Sequence, residues 1–347
     1  MGHPAIENTT HFAFAPVFLT DEEARPLLVN IVKATYCIAE AGLCLSEQQL
    51  PVNLTGEYWG RPEESSYKYE PEGAFIKLAT DVVLIGHAWP RRQGDTKGTV
   101  NLRVGALVKS ISVVGDRYWV KSLGATFASP AEPFERIPLT YERAFGGWDR
   151  SHPDPKRHTF EPRNPVGAGF RAKHGRFEEG IRLPNLEDPG HPIKDYWDTP
   201  PPVGFGFNSP DWHPRSKLAG TYDETWMKDR MPLLPLDFNR SFLNAASPGL
   251  QSVGFLNGDE SVIVENTCAE GSISFDLPHM PTPKCLVEVR GRKREILETR
   301  LDTVIINTDD RLLVLIWRGN TVVTNSPHDL ISVKVQADES PAVVGHR

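Results

Sequence analysis

Long apolar runs are missing from this chain of 347 residues. No stretch approaches the roughly eighteen apolar residues of a membrane-spanning helix, so a membrane partner is not expected. Basic excess is missing too. Lys and Arg number 38 against 45 Asp and Glu, a net charge of −7. Such a chain gains little from releasing counterions off phosphates, which argues against a nucleic-acid partner. The basic cluster of Arg290, Arg292, Lys293 and Arg294 is short and is followed at once by Glu295 and Glu298, as a solvated loop or strand end would be. Cysteine is scarce, with only Cys37, Cys44, Cys268 and Cys285 and no C-x-x-C pair. The first ten residues carry no basic region, and the apolar run 12–19 is broken by Pro16, which is unlike a secretory signal. A cytoplasmic location follows as an expectation, and with it buried thiols rather than disulfides or zinc ligands.

Catalytic signatures are lacking as well. Gly167-Ala-Gly169 and Gly204-Phe-Gly206 suggest a phosphate loop, but neither follows a strand and opens a helix with the remaining glycine in place. There is no G-x-S-x-G elbow. His152, Asp154 and His158 lie close together, yet two intervening prolines prevent a helix that would align them as metal ligands. His191, His213 and His279 each sit beside a proline, as loop hydrogen-bonding groups do. Carboxylates flank aromatics in Asp195-Tyr-Trp-Asp198 and at Asp211-Trp212. With Glu224 these are the candidates for an alternative reading as a carbohydrate-active hydrolase. No cofactor is implied.

Proline and tryptophan are what the chain has in abundance. Of its 30 prolines, fourteen fall between residues 149 and 240, and Trp148, Trp197, Trp212 and Trp226 lie in nearly the same stretch. Proline without aromatics would suggest disorder, whereas this mixture has apolar area enough to be pinned down. The expectation is a single large domain over 1–347, with scaffold strands in 12–137 and 250–336 and an ordered, loop-rich segment over 138–249. Period-two alternation marks strands at 100–108, where Val100, Leu102, Val104, Ala106 and Val108 are the apolar set, and at 27–38, 74–85 and 111–120. Others follow at 251–256, 261–265, 273–277, 286–290, 301–306, 312–318 and 330–335, with turns at Gly115-Asp116, Asn257-Gly-Asp259 and Glu270-Gly271. The run 312–317 is apolar on both faces and should be a central strand. The fold class is mainly β, a sandwich or irregular barrel of many short antiparallel strands. One helix is expected over 221–230, capped by Thr221 with Glu224 reaching back and stopped by Pro232, and a second short one over 239–246. The tail from Ala337 is polar and expected to fray.

Aromatic and arginine side chains dominate protein–protein contacts. The interface candidates in the central segment are therefore Tyr141, Phe145, Trp148, Phe170, Trp197, Phe205, Trp212, Arg215, Tyr222 and Trp226. The bland reading is that most of them anchor the segment to its own core.

A series of phrases runs through the same stretch: Pro138-Leu-Thr-Tyr-Glu-Arg-Ala-Phe-Gly-Gly147, Asn164-Pro-Val-Gly-Ala-Gly-Phe170, Leu183-Pro-Asn-Leu-Glu-Asp-Pro189, Val203-Gly-Phe-Gly206, Trp212-His-Pro-Arg215, Leu218-Ala-Gly-Thr-Tyr-Asp223, Trp226 and Pro232-Leu-Leu-Pro-Leu-Asp-Phe238. In order and spacing they resemble the bacterial family catalogued as domain of unknown function 2169, over about residues 30–317. One departure is the run Ala245-Ala-Ser-Pro-Gly-Leu-Gln251, where such proteins often carry an acidic residue. The resemblance implies a non-enzymatic adaptor or chaperone of type VI secretion that carries an effector toxin to the VgrG spike or its PAAR tip. A structural subunit of the same apparatus is a further alternative.

Overall fold

Strands buried on both faces build the centre of the molecule. In the computed structural model, which describes residues 4–173, 177–323 and 327–337, the strands that matter here run in chain order. They are β1 (Ala5–Asn8), β2 (Ala13–Thr20), β3 (Pro26–Ala39), β4 (Gly42–Leu45), β5 (Asp81–Ile85), β6 (Lys97–Val104), β7 (Leu107–Val114) and β8 (Leu186–Glu187). After the central segment come β9 (Ser261–Glu265), β10 (Ser272–Asp276), β11 (Lys284–Val289), β12 (Glu295–Glu298), β13 (Arg300–Asn307), β14 (Leu312–Val322) and β15 (Leu330–Gln336).

The main sheet has the order β2-β3-β14-β13-β5, with β4 added to β3. Leu313, Val314, Leu315, Ile316 and Trp317 of β14 are all buried, because this strand lies between β3 and β13 and is covered on both faces, as its unbroken apolar run requires. A second sheet has the order β8-β7-β6-β9-β10 and a third β1-β15-β11-β12. The β13–β5 and β1–β15 pairs are parallel, and the rest of these ladders antiparallel. None of these sheets closes into a barrel; the fold is mainly β and open. One apolar cluster takes Leu28 and Ile31 from the first sheet, Leu102 and Val264 from the second, Val333 from the third, and Phe205 and Ala245 from the central segment.

Several sequence expectations are corrected. Residues 100–108 are not one strand: the chain reverses at Gly105-Ala106, so Val100, Leu102 and Val104 face the core while Ala106 and Val108 are exposed. The alternation runs unbroken through the hairpin and hides it. Only 81–85 of the run 74–85 is a strand, and 251–256 makes a single bridge, Gln251 to Asp81. The 111–120 run does break at Gly115-Asp116, as expected, into the end of β7 and a strand Trp119–Ser122. The helix, α1 (Glu224–Asp229), is shorter than expected and is capped by Asp223, which accepts from the Trp226 amide; the Thr221 hydroxyl donates instead to Asp237. The expected second helix is a 3-10 turn, Arg240–Leu243, capped by Asn239. All four cysteines are free, but only Cys268 and Cys285 are buried; Cys44 is exposed, because β4 is an edge strand. Of the tail, only Ala337 lies within the described residues.

Candidate interaction surface

The central segment is ordered by polar anchors that tie it to the sheets. Asp81, fully buried on β5, accepts from Lys77 Nζ at 2.7 Å, from Asn244 Nδ2 at 3.1 Å and from the Ala245 amide at 2.8 Å. Arg215 pairs with Glu70 and donates to the carbonyls of Asn208 and Phe242, both at 2.7 Å. Arg230 and Arg240 both reach Glu22, in the turn between β2 and β3. Buried charges such as Asp81 and Arg215 persist only when each is paired.

Much of the phrase series is built into a knot. Asn164 is fully buried, and its Nδ2 donates to the Tyr141 carbonyl at 2.8 Å and the Phe145 carbonyl at 2.9 Å. Its own carbonyl accepts from the Gly147 amide at 2.8 Å. A Cβ on Gly146 would meet that carbonyl at 2.1 Å, and Gly146 has φ +149. The glycine pair and the asparagine are therefore one device that crosses two chain segments at backbone contact.

Five of the ten interface candidates are interior. Tyr141, Phe145, Phe205, Trp212 and Arg215 are all buried. Tyr141 meets Trp212 edge-on at 5.2 Å, and its hydroxyl, pushed up to about 12 by burial, stays protonated against Ser247 Oγ at 2.9 Å. Phe170 and Trp197 are half-buried, packed edge-on against Phe145 and Tyr196. These seven hold the segment in place. Pattern alone did not separate them from the exposed candidates, because aromatic content is the same for an anchor and for a contact.

Trp148, Tyr222 and Trp226 are the candidates left toward solvent. Trp148 is 42% exposed, its ring tilted against that of exposed Phe160 at 4.6 Å with Arg150 over it at 5.3 Å. Tyr222 and half-buried Trp226 belong to the small module around α1, where sequence reasoning missed the larger share of the surface: Met227 is 63% exposed, Met231 61% and Leu236 85%. The module is rigid at its base. Trp226 Nε1 donates to the Leu233 carbonyl at 2.8 Å, Arg230 Nε to the Leu234 carbonyl at 2.5 Å, and Asp237 holds the Thr221 amide and hydroxyl at 2.9 and 2.8 Å. Exposed methionines on α1 and beyond it could have been singled out by their mismatch with a short helix that has no face to bury.

The acidic candidates go to turns. Asp198 accepts from the Lys194 and Asp195 amides, Asp195 from the Trp197 amide, and exposed Glu224 lies in the first turn of α1. Asp211 is exposed. His152 accepts from the Asp154 amide at 3.0 Å, and His158 contacts the His152 carbonyl, so this group closes its own loop. Among the described residues no three or more His, Cys, Asp or Glu side chains converge on a metal position. The loop that departs from the phrase series has no carboxylate of its own and closes through the Leu250 amide to the Ser247 carbonyl at 2.9 Å, while its first amide, that of Ala245, goes to Asp81.

Among the described residues, no helix is long and apolar enough to cross a membrane. The sequence model of a family described as "uncharacterized protein conserved in bacteria (DUF2169)" matches residues 23–318. No curated protein and no solved structure matches the chain.

Proposed function

The chain belongs to the bacterial DUF2169 family, and from that premise we propose that it is a non-enzymatic adaptor that holds an effector toxin and helps load it onto the VgrG spike or its PAAR tip during type VI secretion. The role comes from what the phrase series implies of such proteins. The observation that supports it here is the α1 module, which presents Tyr222, Met227, Met231 and Leu236 to solvent on a base locked by hydrogen bonds. Exposed methionine and aromatic side chains on a rigid base suit a protein partner. They bring apolar area and, being pre-ordered at the backbone, little ordering cost on binding. A holding protein also needs a scaffold that does not open, and the two-faced central strands and paired buried charges supply one. The test is capture: tagged protein from cells expressing the secretion genes should recover a toxin or spike component by mass spectrometry, and recovery of neither overturns the reading.

A further inference from the structure

β7 leaves part of its outer edge unpaired. On its inner side every residue pairs with β6. The Gly105 amide donates to Ser261 of β9, so alternate residues of β6 point to β9 and the others, Val104, Leu102 and Val100, bond Leu107, Lys109 and Ile111 of β7. The backbone groups of Val108, Ser110, Ser112 and Val114 therefore point outward. β8 takes only the far end, pairing at Ser112 and Val113, with the Val114 amide donating to the Asn185 carbonyl at 2.8 Å. Beyond Glu187 the chain turns away at Asp188-Pro189-Gly190, where Asp188 Oδ1 accepts the Gly190 amide. Among the described residues no backbone group pairs with Val108 or Ser110 on that side, and Val108 is 64% exposed.

The vacant edge opens on a cleft of about 460 Å³. Its walls include Val108, Pro201, Pro202, Val203, Pro214 and Pro248. At its floor Lys109 Nζ donates to Ser247 Oγ and the Pro248 carbonyl, both at 2.7 Å, and among the described residues it makes no ion pair. The other charged and titratable groups facing it are accounted for. Arg163 is bound in a fork by Glu161, Asp188 holds His191 at 2.9 Å, His213 holds Ser216 at 2.8 Å, and Tyr141 holds Ser247. Lys109 thus has one N–H to spare: the Asp188 carboxylate of the same cleft acts on it electrostatically but, among the described residues, no carboxylate touches it.

We propose that the open edge at Val108 and Ser110, with Lys109 behind it, receives an extended acidic segment of a partner polypeptide, which adds to the second sheet as a strand in line with β8. Backbone groups at Val108 and Ser110 supply its ladder, the proline walls take apolar side chains, and its carboxylate completes Lys109. Burial pushes Lys109 down to about 7, so the site is cationic below neutrality and loses charge above it.

The inference is independent of the adaptor reading. The test uses the full chain panned against a displayed library of random heptapeptides, with Val108→Pro, which removes an outward amide, and Lys109→Gln as comparisons. Wild type should enrich β-branched sequences carrying Asp or Glu at a fixed position, at least about tenfold over Val108→Pro. Lys109→Gln should keep the extended preference and lose the acidic one. The selected peptide should slow amide exchange at Val108 and Ser110 in the wild type, a readout that does not depend on either variant folding. Its binding should weaken between about pH 6 and about pH 9. Enrichment of the same sequences by Val108→Pro, an acidic position indifferent to Lys109→Gln, no enrichment, or unchanged exchange at both amides overturns the proposal. Toxin capture by the tagged chain is scored separately, so the failure of either reading is visible without the other.

Discussion

At the residue scale, Asn164 and Gly146 explain why the phrase series is what it is. The asparagine satisfies two carbonyls in a place water does not reach. Removing its amide in Asn164→Ala takes from the Phe145 carbonyl its side-chain donor and leaves the Tyr141 carbonyl only the Ala144 amide, and should cost about 2–5 kcal/mol, read by denaturant unfolding. Gly146→Ala places a methyl at 2.1 Å from the Asn164 carbonyl and should be at least as harmful. A loss below about 1 kcal/mol in both would mean that the knot does not carry the segment. Lys109 offers a pH test. Burial holds its folded value near 7, below the value of about 10.4 in an unfolded chain. Between the two, the unfolded chain binds more protons, so this lysine's contribution to stability rises with pH from about 7 to about 10. Lys109→Met should flatten that rise, and a methylated Lys109 should titrate near neutrality by NMR; a midpoint near 10 contradicts the burial argument.

At the element scale, α1 depends on its cap, because a helix of six residues has almost no internal hydrogen bonding to sustain it. Asp223→Ala should loosen the module by about 1 kcal/mol, seen as faster amide exchange from Trp226 to Arg230 with the sheets unaffected. Elements were legible where the pattern had one cause. β14 reads as a central strand because a run buried on both faces must be apolar throughout. The sequence pattern joins only the start of β7, Leu107 and Val108, to β6, because the apolar alternation passes through Gly105-Ala106 and the exposed Val108 continues the even-numbered series on the wrong side. The α1 cap was misplaced by two residues because Thr221 satisfies the capping pattern locally while Asp237, distant in sequence, takes its hydroxyl. The candidate surface was legible only in part. Tyr222 and Trp148 were found by residue type, but Tyr141 and Trp212 belong to the same types and are interior, and burial depends on contacts such as Tyr141 to Trp212 that no local pattern encodes.

At the scale of the whole molecule, three open sheets and a long proline- and tryptophan-rich segment share one apolar core. The segment is fastened through Asp81, Glu70 and Glu22, and its solvent side carries the apolar side chains that the core does not take. The separation of anchor from contact surface is what makes the adaptor reading testable without unfolding the protein. The most direct measurement compares capture by the wild-type chain with capture by the triple variant Met227→Glu, Met231→Glu, Leu236→Glu, tagged in cells that express the secretion genes. All three side chains are exposed, so the melting temperature should stay within about 2 °C while recovery of the toxin or spike component falls at least about tenfold. Equal recovery by the variant and the wild type would contradict the account.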